Sequence, residues 1–139
     1  MKREKWIKWK PLNEIPQTLF CESIQYNYNG LIIKLQGKDS DSPILTINFE
    51  FFLSLRVMDE GKFLKDSCDI DEAVLEMELE QDSYYRWGLF TVENSPFLEW
   101  FHDQSVDTHR DIRIVHYVIR TPGDVIEILA SVTPITEWN

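Results

Sequence analysis

The stretch from residue 93 to residue 131 constrains the fold of this chain more than any other, because it predicts three elements in a row. Aromatic residues at helical spacing predict a helix over 96–104. After a polar link, alternating apolar residues predict a strand over 112–119 and a returning strand over 125–131. The Thr-Pro-Gly-Asp sequence at 121–124 is typical of a tight turn that would join them. A helix beside an antiparallel hairpin indicates an α+β protein.

The predicted helix has a clear start and two distinct faces. Ser95 is a favourable N-cap residue, and Pro96 is a favourable first helical residue. Three aromatic side chains are expected to face the core and three polar ones to face solvent: Phe97, Trp100 and Phe101 inward, and Glu99, His102 and Asp103 outward.

Two stretches of the N-terminal half alternate between apolar and polar residues and therefore predict strands. Residues 18–29 and 31–36 predict a hairpin that turns at Asn29-Gly30, with a positive φ at both turn positions. Residues 44–57 carry seven alternate apolar side chains and predict one long central strand.

The acidic stretch at 69–82 fits either a helix or a strand. Its start resembles a capping box that opens a helix, whereas the strict alternation around Glu76, Glu78 and Glu80 is typical of a strand. As a strand, it would place these three carboxylates in a row about 7 Å apart. Such a row could match lysines or arginines on a partner protein, or it could keep a solvent-facing strand soluble and guard its edge.

Residues 1–17 are interpreted as a basic arm that contains Trp6 and Trp9. A helical turn near 5–9 would place both indoles on one side of the arm. There they could contact a partner or a membrane surface, or they could instead pack over an open sheet edge. A second short helical turn is expected near 62–66.

Length and composition fit a single domain over residues 1–139 with one core, since 43% of the residues are hydrophobic. The predicted fold is a mostly antiparallel sheet of six to seven strands with one main amphipathic helix and short helical turns. No apolar run approaches the roughly 20 residues of a membrane span, and the chain start lacks the apolar stretch of a secretion signal. Cys21 and Cys68 are therefore expected to be reduced thiols in a cytoplasmic protein.

The net charge of −10 is spread unevenly along the chain. Residues 59–82 carry ten acidic against two basic residues, whereas residues 1–10 carry five basic residues against one acid. An acidic protein repels nucleic-acid backbones and attracts basic proteins, so the charge disfavours the first class of partner and favours the second. The alternative interpretation is that the charge serves solubility alone.

The sequence contains no Gly-rich phosphate-binding loop, no Cys-x-x-Cys motif and no His-Glu-x-x-His metalloprotease motif. Neither a metal nor a cofactor is predicted. His116 lies on an apolar strand face, where it is either a buried neutral imidazole with hydrogen-bonded nitrogens or a functional group. One candidate pocket is formed by residues near the start of the helix: Glu93, Asn94, Trp100 and His116.

The sequences VENSPFLEWFHDQS and IVHYVIRTPGDVIEILAS resemble a pattern found in small uncharacterised bacterial proteins, and MDEGKFLK at 58–65 is similar to their middle part. The matching residues are Glu93, Asn94, Ser95, Trp100, Phe101, His116 and Tyr117. Some proteins of this kind are thought to be immunity partners of secreted toxins. The resemblance implies a protein-binding function and carries no catalytic signature.

Three functions are thus open from the sequence. The first is a non-enzymatic protein that sequesters a basic partner such as a toxin, in the manner of an immunity protein or antitoxin, with Glu76, Glu78 and Glu80 as partner-binding residues. The second is a small-ligand-binding or enzymatic domain with its pocket near His116. The third is a structural accessory protein.

Overall fold

The computed structural model describes residues 3–59, 69–70 and 87–139, which form ten strands and one helix. The helix, α1, spans Pro96–Gln104. The strands are β1 Lys5–Lys8, β2 Phe20–Asn27, β3 Gly30–Gln36, β4 Ile44–Phe49, β5 Ser54–Asp59, β6 Asp69–Ile70, β7 Leu89–Glu93, β8 Val115–Arg120, β9 Asp124–Ala130 and β10 Ile135–Trp138.

The strands form two sheets, and all neighbours are antiparallel except β1 and β6. The large sheet has the order β5-β9-β8-β7-β1-β6, in which β6 contributes only two residues, and the small sheet has the order β10-β4-β3-β2. The predicted α+β class with mostly antiparallel strands is confirmed. The prediction of one sheet with six to seven strands is wrong, because the described strands are divided between two sheets.

The long strand predicted over 44–57 is where this division arises. It is broken after Phe49, so that β4 belongs to the small sheet and β5 to the large one. The two sheets pack face to face, as the contact between the rings of Phe49 and Tyr117 at 5.3 Å shows. Leu45, Ile47 and Phe49 face the main core, and Leu55 packs against it after the break, whereas Phe51 and Val57 are exposed. The alternation therefore continues across the break although it no longer marks one buried face.

The main core lies between the sheets, and a smaller one lies under the helix. The main core is formed by fully buried aliphatic and aromatic side chains that include Leu31, Ile33, Leu45, Ile47, Phe49, Ile119, Ile126 and Ile128. On the other face of the large sheet, Phe97 of α1 packs with Ile114 and Leu129. We call these two sides of the large sheet its inner face and its helix face.

The N-terminal arm is part of the large sheet rather than an appendage with a helical turn. β1 pairs with β7, so Trp6 lies beside Val92 on the helix face, and its ring is 5.1 Å from that of Phe90. Trp9 instead contacts Tyr117 of the inner face, with ring centroids 5.0 Å apart. The two indoles therefore lie on opposite faces, because a strand alternates its side chains where a helical turn would align them.

The hairpin between β2 and β3 exists, but its turn differs from the prediction by one position. Asn27 pairs with Gly30, so the loop residues are Tyr28 and Asn29, and of the predicted pair only Gly30 has a positive φ, of 116°. A Cβ atom at Gly30 would lie 2.6 Å from the carbonyl oxygen of Phe49. Glycine is thus required both by the backbone conformation and by the close approach of β4.

The helix and its N-cap are confirmed, whereas two of its predicted side-chain orientations are wrong. His102, expected in solvent, is 6% exposed, and Trp100, expected in the core, is 52% exposed. The loop after the helix folds back over this side, with the ring of His109 5.2 Å from that of Phe101 and Arg110 bound to both carboxylate oxygens of Glu99. Tertiary contacts of the helix, which helical periodicity does not report, decide which of its side chains are buried.

The hairpin of β8 and β9 is confirmed, and the Thr121 hydroxyl accepts the backbone N–H groups of Gly123 and Asp124 in its turn. The helical turn expected near 62–66 and most of the ambiguous stretch 69–82 lie outside the described residues. In the part of the chain that the structure describes, no helix is long and apolar enough to cross a membrane.

Candidate functional site

A buried polar network lies where α1 begins, on the helix face of the large sheet. The Ser95 hydroxyl accepts the backbone N–H of Leu98 at 2.9 Å and thereby caps the helix. The same hydroxyl oxygen is 2.7 Å from Nδ1 of His116, which is fully buried on β8. One side chain therefore fixes both the start of the helix and its position on the sheet.

The network continues across the sheet to β9 and β5. Nε2 of His116 is 2.9 Å from Oε1 of Glu127, and the Arg56 guanidinium donates to Oε2 of Glu127 at 2.7 Å. The Arg56 guanidinium also lies over the ring of Phe97, 4.1 Å from its centroid. With a proton on Nε2, His116 can donate to Glu127 and accept from Ser95, so each buried polar group has a partner.

The pKa values of the two glutamates in this region, Glu127 and Glu4, are shifted in opposite directions. Burial acts to raise the pKa of Glu127, but the hydrogen bond from His116 and the charge of Arg56 outweigh it, so the pKa lies below its ordinary value. Burial raises the pKa of Glu4, and the attraction of His116 only partly offsets it. Glu127 is thus held as a carboxylate, while Glu4 takes up a proton more readily than a free side chain.

The residue types Ser95, His116 and Glu127 also occur in hydrolytic triads, but this arrangement is suited to support rather than to nucleophilic attack. A nucleophilic serine must meet its substrate, whereas Ser95 is 6% exposed and its oxygen is engaged in capping α1. The charge of Glu127 is already neutralised by Arg56. The network is therefore interpreted as a structural connection between the helix and three strands.

The structure brings together only part of the predicted pocket. The ring centroids of His116 and Phe97 are 5.3 Å apart, and the ring of Trp100 stacks on Phe97 with the centroids 5.9 Å apart. Asn94 has a φ of 56° and binds the backbone carbonyl of Arg3. Glu93 follows Val92, the partner of His116, and so points to the opposite face of the sheet.

Sequence reasoning missed Glu127 as the partner of His116, and it also missed Arg56 as the second partner of Glu127 and Glu4 as a nearby carboxyl group. A signal for Glu127 was present, because this acid stands alone among apolar residues in the stretch VIEILA. A charged residue in an apolar strand needs a partner when it is buried. The identity of that partner depends on which strands become neighbours.

Replacing Ser95 with alanine is expected to lower the free energy of unfolding by about 2–4 kcal/mol. Loss of the cap accounts for about 1 kcal/mol, and the unpaired Nδ1 of buried His116 accounts for roughly 1–3 kcal/mol. Urea denaturation measures the change, and Ser95→Thr is the matched control because it retains a hydroxyl. An alanine variant as stable as the threonine variant would show that the hydroxyl has no such double role.

A second candidate site is the edge strand β2, whose side chains are exposed along almost its whole length. No described strand pairs with its outer edge. Ile24 and Tyr26 pair with Ile33 and Leu31, which are fully buried, yet Tyr26 itself is 70% exposed. The large sheet thus covers the small sheet at β3 and leaves it open at β2.

The exposed groups around β2 form a patch that is both apolar and acidic, which we call the β2 patch. It consists of Glu22, Ile24, Tyr26, Tyr28, Glu50 and Phe51, all of which are exposed. The ring of Tyr26 rests edge-on against Phe52 at 5.1 Å between centroids. Neither lysine nor arginine occurs in β2.

The predicted partner-binding residues Glu76, Glu78 and Glu80 lie outside the described residues, so their role stays a prediction. The chain matches no protein-family model, no curated protein and no solved structure.

Proposed function

We propose that this protein is a non-enzymatic protein-binding protein of the immunity or antitoxin type, and that it holds a basic partner protein. The observation that carries the proposal is the β2 patch, in which aromatic and aliphatic side chains remain exposed beside a strand edge with no described partner. Exposed apolar groups gathered beside an open strand edge are typical of an interaction surface.

The β2 patch offers two kinds of contact to a partner. The open edge of β2 presents backbone N–H and C=O groups that an extended segment could join as a further strand. Tyr26, Tyr28 and Phe51 supply rings that bury a large area with little loss of side-chain freedom, and tyrosine is enriched among residues that dominate binding energy. Backbone pairing would then give affinity, and the rings would give specificity.

Charge favours a basic partner over a second copy of this chain. Two copies would each bring a net charge of −10, and pairing of two β2 strands would bring their Glu22 side chains into one interface. A basic segment would instead be attracted before contact, which raises the association rate.

Protection against unwanted strand pairing explains the sequence of only the first half of β2. The register shifts between Cys21 and Ser23, and such a bulge together with the charge of Glu22 discourages unwanted pairing. Both features lie at the first half of the strand. The second half, from Ile24 to Asn27, carries neither a charge nor a bulge.

The proposal is tested by capturing partners from an extract of the source cells with the wild type and two variants. Tyr26→Lys places a repelling charge in the β2 patch, whereas Ile135→Lys places the same charge on β10, the opposite edge of the same sheet, at a residue that is 49% exposed. We expect a basic protein that binds the wild type and the Ile135 variant and binds the Tyr26 variant at least tenfold more weakly.

The second part of this test varies the salt concentration and the charge of the predicted row of Glu76, Glu78 and Glu80. The association rate should fall as ionic strength rises, because exposed charges are screened beyond about 8 Å at physiological salt. Reversal of Glu76, Glu78 and Glu80 to lysine should lower the association rate further. A captured protein that is not basic, or whose binding is unaffected by Tyr26→Lys, would contradict the proposal.

A further inference from the structure

A cavity of about 310 Å³ opens on the inner face of the large sheet, opposite the Ser95 network. Its polar and aromatic lining comprises Trp9, Thr91, Arg113, Tyr117, Ser131 and Thr133, and small apolar side chains complete the wall. The volume is within the range of sites that bind small molecules. This cavity is distinct from the pocket predicted near His116, since Tyr117 and His116 are consecutive residues on opposite faces of β8.

The charge of the lining is opposite to that of the whole protein. Within the ranges that the structure describes, Arg113 is the one charged residue in the lining and no carboxylate lines the cavity, although the chain carries a net charge of −10. Among the described residues, Arg113 has no carboxylate partner, in contrast to Arg56 and Arg110. A guanidinium that lies at the wall of a cavity without a carboxylate partner is suited to bind an anion.

The hydroxyl groups around Arg113 add hydrogen-bonding capacity. Burial raises the pKa of Tyr117, although its hydrogen bond with Thr133 and the charge of Arg113 act in the opposite direction. The phenol therefore stays protonated at neutral pH. Ser131 and Thr133 are exposed at the cavity rim, where their hydroxyls can also donate.

We propose that this cavity binds a small organic carboxylate. The carboxylate would pair with the Arg113 guanidinium, which matches two oxygens of a planar anion, and the hydroxyls of Ser131 and Thr133 would complete its hydrogen bonds. The apolar body of the ligand would lie against Trp9, Val115 and Val132. This ligand site goes beyond the protein-binding function and does not depend on it, because the β2 patch shares no residue with the cavity.

The experiment is a titration of the full chain with phenylacetate, followed by the amide signals of the protein in two-dimensional NMR. The neutral isostere phenylacetamide has the same shape without the charge. We expect phenylacetate to bind with a Kd below about 1 mM and to shift the signals of Thr91, Val115 and Ser131. Phenylacetamide should bind at least tenfold more weakly.

Two arginine variants separate this site from general attraction of anions. Arg113→Gln should weaken phenylacetate binding at least tenfold, whereas Arg110→Gln, which removes an exposed arginine outside the cavity, should leave it unchanged. Arg113 is exposed, so its variant should unfold at the wild-type temperature, and Arg110→Gln loses only surface ion pairs with Glu99 and Asp107 and should remain folded at the temperature of the titration. Failure of phenylacetate to bind, equal binding of the amide, or equal binding by the Arg113 variant would overturn the proposal.

Discussion

Replacing Glu127 with alanine is expected to lower the free energy of unfolding by about 3–5 kcal/mol. Glu127 is almost completely buried, and it accepts hydrogen bonds from both His116 and Arg56. Its removal leaves Nε2 of the buried imidazole without a partner and releases the guanidinium that covers Phe97. The cost is that of uncompensated buried groups, which exceeds the cost of a lost surface ion pair.

The same residue should make stability depend on pH with a definite sign. Because the pKa of Glu127 is lowered in the folded protein, its stabilisation is present above the ordinary value near 4.5 and is lost as the pH falls through the folded value. The difference in unfolding free energy between the wild type and Glu127→Gln should therefore shrink below about pH 4.5.

The contribution of Glu4 has the opposite sign, since its pKa is raised, and its stabilisation is lost as the pH rises through the folded value. The comparison is therefore best made with Glu4→Gln in both proteins. Chemical denaturation at a series of pH values provides the measurement. A difference that stays constant from neutral pH into the acid range would contradict the assignment of Glu127 as a buried carboxylate.

Replacing Trp6 with alanine is expected to destabilise the protein by about 3–5 kcal/mol, which is the range for removal of a buried large aromatic side chain. Trp6 is 1% exposed and packs on Phe90, although it belongs to a chain segment whose sequence suggests a loose basic arm. The substitution removes the side chain that anchors β1 to the helix face, so we expect β1 to detach from β7 more readily.

Trp100→Ala is the matched control, because the same residue type is half exposed on the helix and should cost about 1 kcal/mol or less. Denaturant midpoints give the energies, and hydrogen exchange of the Thr91 amide reports on the pairing of β7 with β1. If both tryptophan variants were equally stable, the N-terminal segment would not be an integral strand.

The features that the sequence predicted correctly are those specified by neighbouring residues. Ser95 and Pro96 define the helix start through the backbone groups of the next turn, and Thr121 organises its own turn. The features predicted wrongly depend on distant parts of the chain. His102 is buried on the side of the helix that its periodicity assigns to solvent, and the break after Phe49 sends β5 to a different sheet from β4.

The candidate sites could also be predicted only where neighbouring residues specify them. Alternation on β8 indicated that His116 is buried, but its partners come from β9 and the helix N-terminus, and β5 supplies Arg56 as the second partner of Glu127. The β2 patch could not be predicted because alternation indicates an apolar face without indicating whether another layer covers it. The cavity at Arg113 depends on Trp9, which reaches it only because β1 joins the large sheet.

The position of β1 within the large sheet has a consequence for how the protein folds. Lys5 pairs with Glu93, so an early segment of the chain can enter the sheet only after a much later strand has formed. Closing so long a loop costs entropy before any contact compensates for it, which places the protein among the slower-folding small domains. During this delay Trp6 and the edge of β2 are both accessible to other chains, so dilute conditions or early encounter with a binding partner should favour correct folding over aggregation.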